Sequence, residues 1–336
     1  MSRMTAWLKQ IFTSQEPVSQ EQPTSPEQLS ENQAWPQPEA VSPWLDRANA
    51  LSEIQAKQER GEIDSDTAEK LSYWHKNGYL VLPKLIDDSR LDLVMEEFER
   101  FWTEQTVIGG HHRPLQRDTN GHFEPPINVH MQSDLIKDVF LDRQILKWLG
   151  LILGRDVYGC QTINFFKGTQ RALHHDHIHM TTRPYGFLAA AWVAFEDIDA
   201  RSGPLLYVPG SHRLRYIEAA SLTGSKDSAD EVQDLLTDRM CENGLPTERF
   251  IARKGDVFLW HANLIHGGAL VEEPTLSRKS MACHYIGFDV DYYHDLSGTV
   301  RDPADVVYYK GAPYLPEYYD KNGHFVPSRK ALLERQ

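Results

Sequence analysis

Two histidines and an aspartate are the side chains of this sequence best suited to holding a metal ion. His174-His175-Asp176 contains the only H-x-D triplet of the chain, and His266 follows a later apolar segment that ends at Trp260. An ion held by two imidazoles and one carboxylate on one octahedral face keeps three coordination positions open. A 2-oxo acid can fill two of these positions and O2 the third, so the pattern predicts a non-haem Fe(II) site.

A short strand is the element that would bring the first two ligands together. Side chains two apart on a strand point to the same side, so His174 and Asp176 could reach one ion if residues 171–178 form a strand. The intervening histidines would then face the other way. A second metal site or a substrate contact is open to them, and polar surface is the simpler expectation: His175, His177 and His179.

Other possible metal ligands are weaker candidates. His122 and Glu124 form a rival H-x-E, but they lie in a Gly- and Pro-rich segment that would hold ligands poorly. The three cysteines, Cys160, Cys241 and Cys283, are widely spaced and form no C-x-x-C motif. That spacing predicts three reduced thiols in a cytoplasmic protein rather than a disulfide framework or a zinc-thiolate site.

A dicarboxylate co-substrate also needs a cation for its far end, and Arg278 is the candidate. A planar guanidinium can donate two hydrogen bonds to one carboxylate, and Arg278 begins an apolar segment shortly after His266. The alternative is an arginine on a solvated strand end. Further residues are predicted to line the same pocket from neighbouring strands: Thr162, Asn164, Lys167, Trp192 and Ser280.

The elements that would position these residues change character along the chain. Apolar residues first recur at helical spacing, predicting helices at about 66–77, 87–102, 133–140 and 143–153. After Gly154 the period becomes two, predicting strands at 156–166, 171–178, 187–195, 204–208, 248–252, 256–261 and 278–288, with a helix near 227–240. Helices followed by many short strands predict an α+β fold with a barrel or double sheet as its core.

Composition limits the class of protein and its partners. The 336 residues include 40% hydrophobic side chains and carry a formal net charge of -13, which argues against a nucleic-acid partner. No apolar stretch is long enough to cross a bilayer. We expect a disordered or weakly helical tail over residues 1–60, because much of it is rich in Ser, Gln, Glu and Pro. One catalytic domain over 61–320 and a C-terminal tail over 321–336 would follow.

Several motifs in sequence order resemble those of the phytanoyl-CoA dioxygenase family of Fe(II)/2-oxoglutarate enzymes. They lie at 73–83, 173–179, 191–205, 208–213, 254–268 and 277–280. The resemblance implies a double-stranded β-helix (a cupin-like jelly roll) flanked by N-terminal helices, with Fe(II), 2-oxoglutarate and O2. It assigns His174, Asp176 and His266 as iron ligands, Arg278 as the partner of the oxo acid, and Trp192 to the wall of its pocket.

The sequence departs from the family pattern just after the distal histidine. Many members carry a serine two residues after it, where the hydroxyl binds the oxo acid, but this chain has Gly268. Ser280 or Thr162 is the predicted replacement.

The predicted activity is hydroxylation of a small organic substrate with release of succinate and CO2. An intact carboxylate at Asp176 favours hydroxylation, since related halogenases carry a small residue there. Two other classes stay open: a cupin-like metal-dependent isomerase or hydrolase, and a non-catalytic binding module on the same scaffold. Segments 106–130, 177–185 and 290–320 are expected to shape the substrate pocket.

Overall fold

Helices form the N-terminal part of the fold, as the hydrophobic spacing predicted. A computed structural model describes residues 42–108, 113–117, 119, 124–217, 228–294, 299–301, 303–319, 325–326 and 328–333. The α-helices of these residues, in chain order, are α1 (Ala50–Glu59), α2 (Ser65–Asn77), α3 (Asp88–Thr103), α4 (Asp134–Phe140), α5 (Arg143–Leu153), α6 (Ser228–Glu242) and α7 (Arg329–Leu333).

Short strands dominate the remainder of the chain. In order they are β1 (Tyr79–Leu82), β2 (Val107–Ile108), β3 (Arg113–Pro114), β4 (Val157–Phe165), β5 (Thr181–Arg183), β6 (Leu188–Ala194), β7 (Leu205–Tyr207), β8 (Glu248–Phe250), β9 (Val257–His261), β10 (His266–Gly268), β11 (Ser280–Gly287), β12 (Asp291–His294), β13 (Thr299–Arg301), β14 (Val307–Tyr309), β15 (Ala312–Tyr314), β16 (Tyr318–Tyr319) and β17 (Phe325–Val326).

The turn from α2 into β1 shows how local sequence sets these boundaries. The Asp64 carboxylate accepts a hydrogen bond from the Thr67 N–H at 2.8 Å and caps the start of α2. Gly78 ends the helix at a φ of 76°, a left-handed conformation that favours glycine. A Cβ at Gly78 would also lie 2.4 Å from the ring of His212. The helix therefore ends where only glycine fits.

Two facing sheets make up the jelly-roll core. The larger has the strand order β1-β9-β6-β11-β4-β15-β14, and a three-stranded sheet has the order β10-β7-β8. The neighbours β9, β6, β11 and β4 pair antiparallel, with Trp192 of β6 opposite Ala282 of β11 and a register shift between β11 and β4 at His284/Tyr285. This arrangement is the α+β, cupin-like fold that the sequence predicted.

Side chains of the large sheet alternate between two apolar layers, because successive residues of a strand face opposite sides. Val193 and Leu259 belong to the layer beneath the helices. Trp192 and Trp260, one residue away from each, belong to a second layer that faces the three-stranded sheet. The space between the two sheets therefore receives Ala190, Trp192 and Ala194 of β6 and Phe258 and Trp260 of β9.

Three predicted boundaries can be compared with the described residues. The segment 171–178 is not a regular strand: it contains an isolated bridge at His174 and a 3-10 turn over Asp176–Ile178. In the predicted tail, Trp44 and Ile54 are buried in the core, so residues 42–60 pack on the fold, while 1–41 lie outside the described residues. Within the predicted C-terminal tail, β17 pairs with β16.

None of the helices in the described residues is long and apolar enough to cross a membrane.

Candidate metal and oxo-acid site

The two histidine candidates are joined through their backbones. His174 N–H donates to the His266 carbonyl oxygen at 2.9 Å, and His266 N–H donates to the His174 carbonyl oxygen at 2.8 Å. Their ring centroids lie 4.4 Å apart. The 3-10 turn that begins at Asp176 brings its carboxylate to the same place, so that one ligand atom from each residue lies within 4.8 Å of the others. The structure thus gathers all three predicted ligands.

Hydrogen bonds at the back of each imidazole fix the atom that faces the site. His174 Nδ1 lies 2.8 Å from the Ala172 carbonyl oxygen and His266 Nδ1 lies 2.9 Å from that of Leu264. Because a carbonyl can only accept, each Nδ1 carries the proton and each Nε2 keeps its lone pair. Burial lowers the pKa of both imidazoles, which keeps them neutral, the form that binds a metal.

The Asp176 carboxylate is oriented by two neighbours. Trp260 Nε1–H donates to Asp176 Oδ2 at 2.8 Å, and His284 Nε2 lies 3.4 Å from the same oxygen. The other oxygen, Oδ1, faces His266 Nε2 at 3.6 Å. Burial alone would raise the pKa of the Asp176 carboxyl, but the imidazoles of His266 and His284 hold that pKa well below its usual range. Two neutral imidazole nitrogens and a carboxylate oxygen converge, which suits a divalent iron.

Arg278 enters the same cavity as a buried cation. It is 3% exposed, and its Cζ lies 5.2 Å from the ring of Phe165 and 5.9 Å from that of Trp192. The guanidinium Nε has no hydrogen-bond partner among the described residues, and no carboxylate there pairs with the side chain. Burial lowers the pKa of Arg278 to about 10, so the side chain is charged at neutral pH. A buried cation without a counterion fits an anionic ligand.

One cavity between the two sheets contains the three metal-ligand candidates and Arg278. Trp192, predicted from the sequence, forms part of its wall, together with Ala282 and His284 of the strand after Arg278. The wall also includes residues that the sequence reasoning did not assign to the site: Ile163, Phe165, Thr169, Arg171, Leu205, Trp260 and Gly267. The described parts of segments 106–130, 177–185 and 290–320 contribute none of its lining, and their role in the substrate pocket stays a prediction.

Thr162 and Asn164 lie on the wrong side of β4 to reach this cavity. Ile163 and Phe165 line it, so the residues between them face the helices. The Thr162 hydroxyl lies 2.9 Å from His130 Nδ1, on that helical side. The predicted pocket contact of these two residues was wrong because the apolar face of the strand, not its polar face, meets the ligand space.

Lys167 and Ser280 contact Arg278 instead of lining the cavity. Arg278 Nη2–H donates to the Lys167 carbonyl oxygen at 3.4 Å, and the Ser280 hydroxyl donates to the Arg278 carbonyl oxygen at 3.4 Å. These contacts help to position Arg278, and a direct contact of either residue with the oxo acid stays a prediction.

The segment before His174 occupies the space of the missing serine side chain. A Cβ at Gly268 would lie 2.9 Å from the Gln170 backbone nitrogen and 3.0 Å from Thr169 Oγ1. The Thr169 hydroxyl therefore lies where a side chain at Gly268 would begin, and it belongs to the cavity wall. Neither predicted replacement, Thr162 nor Ser280, is among the lining residues.

The histidines next to the ligands are buried rather than on the polar surface expected for them. His175 and His177 are each 1% exposed, and His177 contacts the rings of Tyr185 and Tyr216 at 4.5 and 4.3 Å between centroids. Burial lowers the pKa of His175 to about 3. The rival ligand His122 lies outside the described residues.

The buried His130 ring should make the free energy of unfolding decrease at acidic pH. Burial lowers its pKa from 6.5 to about 3, so between these values the unfolded chain binds a proton that the folded chain does not. Its stabilising contribution is therefore complete above pH 6.5 and decreases as the pH falls toward 3. We expect a loss of about 2 kcal/mol in unfolding free energy between pH 6.5 and 5 from this residue.

Urea unfolding at pH 7 and pH 5 measures this effect. His130→Gln should reduce the difference between the two pH values by that amount. Thr162→Val, which removes the hydroxyl partner but keeps the titratable ring, should lower stability similarly at both pH values. An unchanged pH dependence in His130→Gln would contradict the assignment.

Comparison with known proteins agrees with the fold. The family model of phytanoyl-CoA dioxygenase matches residues 74–271. Peroxisomal phytanoyl-CoA dioxygenase of Mus musculus is 26% identical over 270 residues, which cover 74% of this chain and 77% of the relative. Ectoine dioxygenase of Nocardia farcinica is 25% identical over 229 residues, covering 62% of this chain and 73% of the relative.

Two solved structures share the fold at low identity. EctD from S. alaskensis with bound Fe has a TM-score of 0.53 at 18% identity, covering 72% of this chain and 80% of its own. The non-heme alpha ketoglutarate dependent carbocyclase SnoK has a TM-score of 0.53 at 17% identity, with coverage of 70% and 88%.

Proposed function

We propose that the chain, which belongs to the phytanoyl-CoA dioxygenase family, hydroxylates a small organic substrate with Fe(II), 2-oxoglutarate and O2. The balanced reaction inserts one oxygen atom of O2 into a substrate C–H bond. The other oxygen enters succinate, which forms with CO2 as 2-oxoglutarate is decarboxylated. We assign iron binding to His174, Asp176 and His266, and co-substrate binding to Arg278 and Trp192.

Iron, when bound together with the oxo acid, supplies the activation of O2. The chain's own residues supply the setting for that chemistry. His174 and His266 present neutral Nε2 atoms, while Asp176 presents one oxygen and keeps the other hydrogen-bonded to Trp260. These three side chains would hold the ion and would leave positions on it for the co-substrate and O2.

The observation that carries the proposal is the buried Arg278, which has no carboxylate partner among the described residues and lies in the cavity of the ligand triad. A metal-dependent isomerase or hydrolase, like a plain binding module, has no need of such a cation at this depth. A dicarboxylate with one end at the metal needs it at the other end, where two hydrogen bonds can form with the guanidinium. The aromatic rings of Phe165 and Trp192 beside it keep water away from that pair.

Succinate formation from labelled 2-oxoglutarate tests the reaction. Purified protein with Fe(II) should convert 2-oxoglutarate to succinate in air, and a metabolite extract added to it should yield a product heavier by one oxygen. Zn(II) in place of Fe(II) is the control and should give no succinate. A protein that modifies an extract component equally well without 2-oxoglutarate would contradict the proposal.

Thr169 is proposed as the hydroxyl donor that stands in for the missing serine. Among the described residues its Oγ1 accepts only a long hydrogen bond from the Arg171 N–H, at 3.4 Å, so its own proton is available to a carboxylate. We expect Thr169→Ala to raise the KM for 2-oxoglutarate roughly 10- to 100-fold, since one hydrogen bond to a charged group is lost. Thr169→Ser should keep the wild-type KM.

Thr162→Val is the matched control, because that hydroxyl faces the helices. It should leave the KM for 2-oxoglutarate unchanged. If Thr162→Val raises this KM and Thr169→Ala does not, the assignment of the donor to Thr169 is wrong.

We further propose a cytoplasmic location and a small-molecule substrate rather than a nucleic acid. Cys160, Cys241 and Cys283 are free thiols, which suits a reducing compartment. The net charge of -13 disfavours a polyanionic partner. Mouse and human relatives are named as peroxisomal proteins, so fractionation of the source cells would test the location.

A further inference from the structure

The cavity of the ligand triad has a second arginine. Arg278 is buried, whereas Arg171 lines the same cavity and is exposed. The two side chains therefore differ in depth, with Arg278 inside and Arg171 at the solvent side. A single dicarboxylate bound to Arg278 would leave the guanidinium of Arg171 available to another ligand.

The backbone of Arg171 is hydrogen-bonded to β10. Its carbonyl oxygen accepts a hydrogen bond from the Gly268 N–H at 2.9 Å. A Cβ at Gly267 would lie only 2.8 Å from that carbonyl oxygen, so the close approach depends on glycine. The Arg171 backbone is thereby fixed against β10, the strand that begins with His266.

Arg171 shares its cavity with the metal-ligand candidates. The lining of that cavity includes His174, Asp176 and His266 as well as Arg171. A group bound to the Arg171 guanidinium would therefore lie in the same cavity as these three side chains.

Arg171 has no acidic partner among the described residues. Arg201 pairs with Asp199 at 2.8 Å, and Arg249 with Glu272 at 3.6 Å, whereas Arg143, Arg215 and Arg253 are, like Arg171, exposed and without a carboxylate partner in the described part of the chain. Arg171 differs from these three because it lines the cavity. No carboxylate of the described residues pairs with Arg171, although the chain has 48 Asp and Glu residues against 35 Lys and Arg. In so acidic a protein, an unpaired cation beside the reacting centre marks a place for an external anion.

We infer that Arg171 binds an anionic group, a carboxylate or a phosphate, of the substrate to be hydroxylated. This inference rests on the proposed dioxygenase function. The anion would fix one end of the substrate at the outer arginine, so that a C–H bond further along the molecule points toward the metal ligands. Substrates of this enzyme are then small oxyanions rather than neutral or cationic molecules.

A fractionated metabolite extract tests the substrate class. The extract is divided on an anion-exchange resin, and each fraction is added to protein, Fe(II) and labelled 2-oxoglutarate. The compounds that stimulate succinate formation and gain one oxygen should be in the retained, anionic fraction. Treating that fraction with phosphatase and repeating the anion exchange distinguishes the two classes. A substrate retained through a phosphate would no longer be retained, whereas a carboxylate would be. Stimulation confined to the unretained fraction would overturn the inference.

Variants of Arg171 test the residue itself. With the retained fraction, Arg171→Gln should raise the concentration needed for half-maximal stimulation at least about fivefold, because a charged hydrogen bond is lost. Arg171→Lys should have a smaller effect, since it keeps the charge without the planar fork. Arg201→Gln, on an exposed turn away from the cavity, is the matched control and should behave as wild type.

The same variants separate the substrate from the co-substrate. The KM for 2-oxoglutarate in Arg171→Gln, measured from succinate formed without added substrate, should equal that of wild type. A raised KM for 2-oxoglutarate with unchanged stimulation would instead assign Arg171 to the oxo acid and refute the inference. A wild-type protein that forms no succinate at all would point to failure of the proposed function itself.

Discussion

Replacing Asp176 by alanine is expected to reduce 2-oxoglutarate-dependent succinate formation by more than about 100-fold, since loss of even an outer-shell partner of a metal ligand typically costs 10- to 100-fold. Asp176 is the only acidic member of the triad, and one of its oxygens faces His266 Nε2 at 3.6 Å. Without that oxygen, an ion would keep two neutral ligands and lose the charge that balances it. Iron content after anaerobic loading should fall together with activity.

Asp176→Asn separates the charge of this residue from its structural contact. The asparagine can still accept the hydrogen bond from Trp260 Nε1 that Asp176 Oδ2 accepts at 2.8 Å, so the fold around it should be kept. Iron binding should nevertheless be weakened, because an amide oxygen carries no net charge. Wild-type iron content and turnover in both variants would exclude Asp176 as a ligand.

Removal of the Arg278 guanidinium should have a comparable effect on the co-substrate. Losing one partner of a buried, hydrogen-bonded charge pair costs about 2–5 kcal/mol, which corresponds to roughly a 30- to 4,000-fold rise in the KM for 2-oxoglutarate. The rise should be large because no other buried cation lines the cavity among the described residues. Initial rates of succinate formation by Arg278→Gln over a range of 2-oxoglutarate concentrations measure it.

A shorter oxo acid makes the Arg278 experiment specific. 2-Oxobutyrate keeps the end that chelates a metal but has no distal carboxylate, so wild type should strongly prefer 2-oxoglutarate to it. Arg278→Gln should lose most of that preference, whereas a variant that was merely misfolded would lose activity with both. Retention of the full preference in Arg278→Gln would show that another group holds the distal carboxylate.

The sequence allowed the metal ligands to be predicted more securely than the element that holds them. The H-x-D spacing placed His174 and Asp176 at one ion on the assumption of a regular strand, and the structure has a bridge followed by a 3-10 turn. The residue types were sufficient because the chemistry requires them, whatever backbone presents them. The burial of His177 was missed because it depends in part on Tyr216, which is distant in sequence.

The oxo-acid pocket was predictable only in part, since a strand's two faces cannot be assigned from polarity alone. Trp192 was correctly placed in the cavity wall. Thr162 and Asn164 were assigned to it because they are polar, yet the apolar residues beside them line the cavity and Thr162 contacts His130. Thr169 had no sequence signal, because its position depends on the backbone approach permitted by Gly268.

His174 and His266 are tied to each other by two backbone hydrogen bonds, although a long stretch of chain separates them. Closing a loop of that length costs on the order of 4 kcal/mol in chain entropy, and the two hydrogen bonds that close it are made by backbone groups. A change elsewhere in the fold that opened this bridge would therefore separate the two imidazoles without altering either of them.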